Sequence, residues 1–78
     1  MGSREMEHRE IVVNGEPAEV AAGWSVARLL ASLGYEPRAV AVEWNGRILP
    51  RGEYESATLQ AGDRVEIVRF VQGGSPLV

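Results

Sequence analysis

The chain has 78 residues, 45% of them hydrophobic, with eight basic against eleven acidic side chains, a net charge of −3 and a pI near 5.1. That length makes one domain, which buries only about 60% of the surface its unfolded form exposes, but the apolar content suffices for a core. The acidic balance argues against a nucleic-acid partner, the absence of cysteine excludes disulfide, thiol-nucleophile and zinc–thiolate chemistry, and no apolar run nears the roughly 20 residues that span a membrane.

Residues 1–9 are polar, lack the apolar centre of a signal peptide and read as a disordered arm, which gives the cytoplasm as the expected compartment. His8 lies in this arm without a Cys, His or carboxylate cluster at metal-ligand spacing, so no metal site is expected. Glu10 to Asn14 is a short β-branched strand. Asn14-Gly15 is a strong hairpin turn signal, and Glu16 to Ala21 returns as a second strand whose Pro17 suits a sheet edge.

At Gly23-Trp24-Ser25 the period changes. Ser25 is a good N-cap, and Val26, Leu29, Leu30 and Leu33 fall on one helical face that Gly34 terminates. Trp24, just before the cap, is placed to staple onto Leu29. After the connector Tyr35-Glu36-Pro37, Arg38 to Trp44 alternates around Val40, Val42 and Trp44 as a strand with one buried face. A second Asn-Gly turn, Asn45-Gly46, leads into the short strand Arg47 to Leu49, which Pro50 stops. Arg51 to Thr58 reads as irregular, with one helical turn around Tyr54. Ala61-Gly62-Asp63 is a turn, and Arg64 to Val71 is the last strand.

A hairpin, one helix, a strand pair and a final strand with apolar residues on both faces predict an α+β domain over residues 10–71. The plan is the ubiquitin-like β-grasp: a mixed sheet of four to five strands on one main helix, the last strand central beside the first. Residues 72–78 read as a flexible tail containing Gly73-Gly74. A glycine pair has no Cβ and can enter a channel too narrow for side chains, as a tail delivered into another protein's active site must. If Val65 and Ile67 face the helix, Val68 and Phe70 face outward, with Val12 and Ala41 as candidate neighbours; either they form an apolar partner-binding patch beside the tail, or Phe70 folds onto the domain's own edge. Arg69 and Arg64 are candidate contacts to an acidic partner groove. Trp24, Trp44 and Tyr54 read as packing residues.

The stretches Val40-Ala41-Val42-Glu43-Trp44-Asn45-Gly46-Arg47-Ile48-Leu49-Pro50-Arg51, Leu59-Gln60-Ala61-Gly62-Asp63-Arg64-Val65-Glu66-Ile67-Val68 and Val71-Gln72-Gly73-Gly74 resemble the ThiS-type sulfur carriers of thiamin biosynthesis. The likeness also takes in Val13-Asn14-Gly15-Glu16 and the helix after Gly23, and runs from Ile11 to Gly74. MoaD-type carriers of molybdopterin synthesis share the fold and the Gly-Gly end. The resemblance implies that a ubiquitin-activating-enzyme-like adenylyltransferase uses ATP to adenylate the Gly74 carboxylate. Sulfur then displaces AMP, and the thiocarboxylate passes to a thiazole synthase. Gln72 and Gly73 would thread into the active site, and Val68, Arg69, Phe70 and Val71 would contact the partner. The chain itself would hold no cofactor and no catalytic residue. It would be a protein co-substrate, monomeric between transient complexes. All eight basic residues are arginine, so no ε-amine of the chain competes for an activated acyl group, although GC-rich coding produces the same pattern.

The resemblance departs at Ser75-Pro76-Leu77-Val78, because carriers of this type end at Gly-Gly. With these residues attached, the Gly74 carbonyl is an amide and cannot be adenylated. The expectation is trimming after Gly74 by a JAMM-type metalloprotease, with the residue before Pro76 kept out of helix. Other readings are a carrier for molybdopterin or for another product such as cysteine, a ubiquitin-like modifier joined to target lysines, and a TGS-like binding module. The last would not need the Gly-Gly end and would be expected to show a basic face, which the acidic composition disfavours.

Overall fold

Asn-Gly pairs fold this chain into its sheet. Asn14 and Asn45 adopt φ of 51° and 54°, and Gly15 and Gly46 follow at 82° and 85°. Asparagine tolerates this left-handed region and glycine enters it freely, which matches the turn twist to that of the flanking strands. The computed structural model describes residues 7–70. The first turn joins β1 (His8–Val13) to β2 (Glu16–Ala21), and the second joins β3 (Val40–Trp44) to β4 (Arg47–Leu49). The last strand, β5 (Arg64–Arg69), runs parallel to β1 and antiparallel to β3, giving one five-stranded sheet in the order β2-β1-β5-β3-β4. This is the expected ubiquitin-like β-grasp, with the last strand central beside the first.

The helix α1 (Val26–Leu33) crosses one face of the sheet. Ser25 Oγ accepts the Arg28 amide at 3.1 Å and caps its start. The amides of Val26 and Ala27 donate to the carbonyls of Ala57 and Tyr54 at 2.9 and 2.8 Å, so the irregular segment after β4 satisfies helix-end donors and is pinned beneath the helix. At the other end Gly34, at φ 84°, donates to Ala31, and Tyr35 donates back to the Leu30 carbonyl at 2.9 Å. This pairing is a Schellman closure, and it ties the residue after the glycine back to the helix. Val26, Leu29 and Leu30 face a core of Ile11, Val20, Val40, Val42, Leu49, Leu59, Val65 and Ile67. Leu33, on the same predicted stripe, is 50% exposed.

Three boundaries differ from the sequence reading. The first strand begins at His8, not Glu10, because a two-residue turn pairs its flanks symmetrically: Val13 opposite Glu16 places His8 opposite Ala21. Arg38 and Ala39 belong to a 3-10 turn over Pro37–Ala39, closed by the Ala39 amide on the Glu36 carbonyl, and β3 starts only at Val40. Proline at the first position of that turn presets its φ. The final strand ends at Arg69. The arm predicted over residues 1–9 lies outside the described residues up to Met6, and so does the tail predicted from residue 72.

Asp63 ties the second hairpin to β5. It is the buried acid of the described residues, 9% exposed, and its carboxylate accepts Trp44 Nε1 at 2.9 Å, Asn45 Nδ2 at 3.2 Å and the Gln60 amide at 2.8 Å. Removing it strands several donors where water enters poorly. Asp63→Ala is expected to lower stability by about 2 to 3 kcal/mol. Asp63→Asn, which keeps one acceptor oxygen but turns an NH₂ toward Asn45, should lose about half as much. Urea midpoints of the two variants decide the point, and equal midpoints for Asp63→Ala and the parent would show that the network carries no weight.

Candidate functional site

Period-two alternation along β5 sorts its side chains. Val65 and Ile67 are 0% and 6% exposed beneath the helix, whereas Val68 is 58% exposed and Phe70, just past the strand, 47% exposed. Register extends this apolar strip across the outer face. Ala41 of β3 stands opposite Val68, and Ile48 of β4, at 73% the most exposed large hydrophobic among the described residues, stands opposite Glu43 one pair further along. Directly facing positions lie within about 5 Å between Cβ atoms and diagonal ones within about 8 Å, so Ile48, Ala41, Val68 and Phe70 line one corner of the sheet. Val12, expected as a neighbour of Val68, stands opposite Arg64 instead, with the Glu66 row in between. Ile48 was missing from the sequence-derived patch, although the turn at Asn45-Gly46 determines its face: pairing Trp44 with Arg47 puts Ile48 outward.

The same outer face is acidic. Glu43 faces Glu66 across β3 and β5, and Glu10 faces Glu19 across β1 and β2, all four exposed. Like charges directly opposed in a sheet cost stability, a few tenths to about 1 kcal/mol per pair.

Arg69 does not share this face. It continues the inward series of Val65 and Ile67, stands opposite Val40, and carries its guanidinium carbon 5.1 Å from the centroid of the Tyr35 ring. The Phe70 amide donates to the Ala39 carbonyl at 2.8 Å. The strand end is therefore held at its edge and on its inner side, while Val68 and Phe70 remain outward. Arg64 is exposed at the far end of the strand. Val71, Gln72, Gly73 and Gly74 lie outside the described residues; covalent geometry allows the four residues beyond Phe70 a reach of at most about 14 Å.

The predicted packing residues lie in or against the core. Tyr54 is 4% exposed, and Trp24 and Trp44 pack on the core from its margin. Trp24 also stacks beneath Arg28, at 5.2 Å. Among the described residues, no group of three or more His, Asp or Glu side chains is arranged to hold a metal ion. What these residues offer is a shaped surface and a fixed strand end, four residues from the glycine pair.

Comparison with known proteins agrees with this geometry. The ThiS family matches residues 9–74, through both glycines. The crystal structure of the thiamine biosynthesis protein ThiS from Geobacter metallireducens superposes with a TM-score of 0.71 at 37% identity, covering 83% of this chain and 99% of that one. The sulfur carrier protein ThiS of Escherichia coli is 29% identical over 65 residues, spanning 83% of this chain and 98% of its own length. A thiazole synthase from Magnetococcus marinus is 43% identical over 65 residues, and there the chain spans only 20% of its relative's length. The chain belongs to the ThiS family.

Proposed function

We propose that this chain is a sulfur carrier for thiazole formation in thiamin biosynthesis, and that Gly74 carries the sulfur. The observation that carries the reading is the family match that runs through the central strand and on to Gly74 itself. A carboxylate is a poor electrophile. Attack of its oxygen on the α-phosphorus of ATP, with pyrophosphate leaving, turns it into a mixed anhydride whose AMP is a good leaving group. A sulfide-level sulfur nucleophile then adds to the carbonyl carbon and expels AMP: hydrosulfide gives the thiocarboxylate directly, and a donor persulfide gives an acyl disulfide whose S–S bond a thiol then reduces, leaving the thiocarboxylate. The adenylyltransferase supplies the chemistry, and this chain supplies the acyl group on a handle.

The Gly74–Ser75 amide must be hydrolysed first, and a JAMM-type metalloprotease fits that step. The acceptor is a thiazole synthase. Two such enzymes, 43% and 42% identical to this chain, carry a matching unit within a fifth of their length, which supports a carrier that works beside its acceptor. The strip of Ile48, Ala41, Val68 and Phe70 is the docking surface, and the carboxylates of Glu43 and Glu66 beside it suit a partner with a basic rim.

A chain ending at Gly74, given ATP, the adenylyltransferase and a sulfur donor, should gain the mass difference of sulfur for oxygen at its C-terminus. The 78-residue chain should not, until lysate from its source organism has removed residues 75–78. A trimmed chain that never forms the acyl-adenylate would refute the carrier reading, and an amide-linked adduct on other proteins would identify a modifier instead.

Phe70→Glu changes an exposed side chain, so its thermal midpoint should stay close to that of the parent while kcat/KM for adenylation falls at least tenfold. Unchanged kinetics would remove the strip from the docking surface. Glu66→Gln relieves a like-charge pair and should raise stability by up to about 1 kcal/mol. It should also slow capture by the activating enzyme at low salt, an effect that fades as salt screens the charges. A rate independent of both the substitution and the salt would exclude a basic rim.

A further inference from the structure

We propose that Arg69 and Tyr35 form a clasp that sets the direction in which the chain leaves the sheet toward its reactive end. The contact is argued from the structure alone; its consequence for adenylation rests on the carrier reading above.

The placement of Tyr35 follows from the end of α1. Gly34 takes a positive φ of 84°, which lets the Tyr35 amide return to the Leu30 carbonyl at 2.9 Å and leaves the ring at the margin of the core, half-buried. The closure fixes the backbone from which the Tyr35 side chain projects. Arg69 comes from the opposite direction, by strand parity. The inward positions of β5 before it, Val65 and Ile67, lie under the helix, but the helix has ended by the time the strand reaches residue 69. An arginine there has no apolar roof to enter, and it finds the Tyr35 ring at 5.1 Å. A guanidinium over an aromatic face at this distance is attractive, and its planar form stacks where an ammonium would not.

One residue later the Phe70 amide makes its bond to Ala39, at 2.8 Å. The clasp and this bond grip successive residues, one from the inner side and one from the edge. Loosening the first should let the second open more often. In a carrier whose reactive carbonyl lies at most about 14 Å further along, the exit direction decides how often a docked chain presents Gly74 to the adenylation pocket. Docking itself, through the outer face, would not change. Arg69 and Tyr35 are positioning residues in this scheme, with no contact to the reacting atoms.

The experiment compares Arg69→Gln, Tyr35→Leu, the double variant and Tyr35→Phe, which keeps the ring. Amide exchange at Phe70 is read by NMR on the full chain, and adenylation kinetics on the chain ending at Gly74. Each disruptive single variant should speed Phe70 exchange about two- to fivefold, the range expected from an exposed cation–π contact. Each should lower kcat by a similar factor with KM unchanged. The double variant should be no worse than either single, and Tyr35→Phe should match the parent. Unchanged Phe70 exchange in both single variants overturns the clasp, as do additive effects in the double variant. A rise in KM confined to Arg69→Gln would also overturn it, because it marks the arginine as a partner contact. If the parent chain is never adenylated, the carrier reading fails, while the exchange measurements still decide the clasp.

Discussion

The structure depends on the way β5 is gripped by two asparagine side chains from turns at the same end of the sheet. Asn14 Oδ1 accepts the Ile67 amide at 2.7 Å, and Asn45 Oδ1 accepts the Arg64 amide at 2.9 Å. Backbone bonds from Val12 and Asn14 to the carbonyls of Asp63 and Val65, and from Asn45 to Arg64, surround them. Neither hairpin is stable by itself, since an isolated two-stranded ribbon is marginal in water. Inserted between them, β5 completes both ladders and makes one sheet. Each asparagine therefore serves twice: it permits the left-handed turn, and its amide oxygen receives a strand donor where the neighbouring backbone has already curled away.

Asp63 adds the third hold. Its carboxylate joins the Trp44 indole, the Asn45 amide and the loop ahead of β5, which ties the second hairpin to the entry of the last strand. Below the helix the irregular segment after β4 is treated the same way. It gives the carbonyls of Tyr54 and Ala57 to the helix start and buries Tyr54, Ala57 and Leu59 in return. Regular structure is sparse there, but polar satisfaction and apolar burial coincide, so the segment can pass under the helix without leaving its backbone groups unmet.

Much of this was legible in the residues. Asn-Gly at two places gave both hairpins; Ser25, the leucine spacing and Gly34 gave the helix; alternation in the last strand gave its two faces. Strand pairing by simple counting would also have yielded His8 and Ile48, because a two-residue turn leaves no choice of partner. The rest was not local. That Asp63 reaches Trp44 depends on the crossing that brings residues 19 apart in the chain together. That Arg69 turns inward onto Tyr35 depends on where α1 stops relative to β5, which no pattern within either segment records. Arg69, expected to contact an acidic partner groove, stands on the opposite face from Val68 and Phe70, because pleating alternates neighbours between faces.

The two faces of the sheet obey different rules, and the difference is informative. The inner face follows folding preferences almost throughout, with buried aliphatics, capped helix ends and an acid whose donors are matched; the exception is Arg9, opposite Val20, whose Nε is buried without a hydrogen-bond partner. The outer face violates local preferences twice, through large exposed hydrophobics at one corner and through opposed glutamates at Glu43–Glu66 and Glu10–Glu19. Those features do nothing for folding, and the glutamate pairs work against it. A fold so well fastened around β5 can tolerate a surface that is unfavourable in isolation, and such surfaces are where a protein's local choices answer to something other than its own stability. Because Val68 and Phe70 belong to that outer surface while Arg69 between them belongs to the inner one, the two demands meet within successive residues, at the point where the sheet hands the chain on toward Gly73 and Gly74.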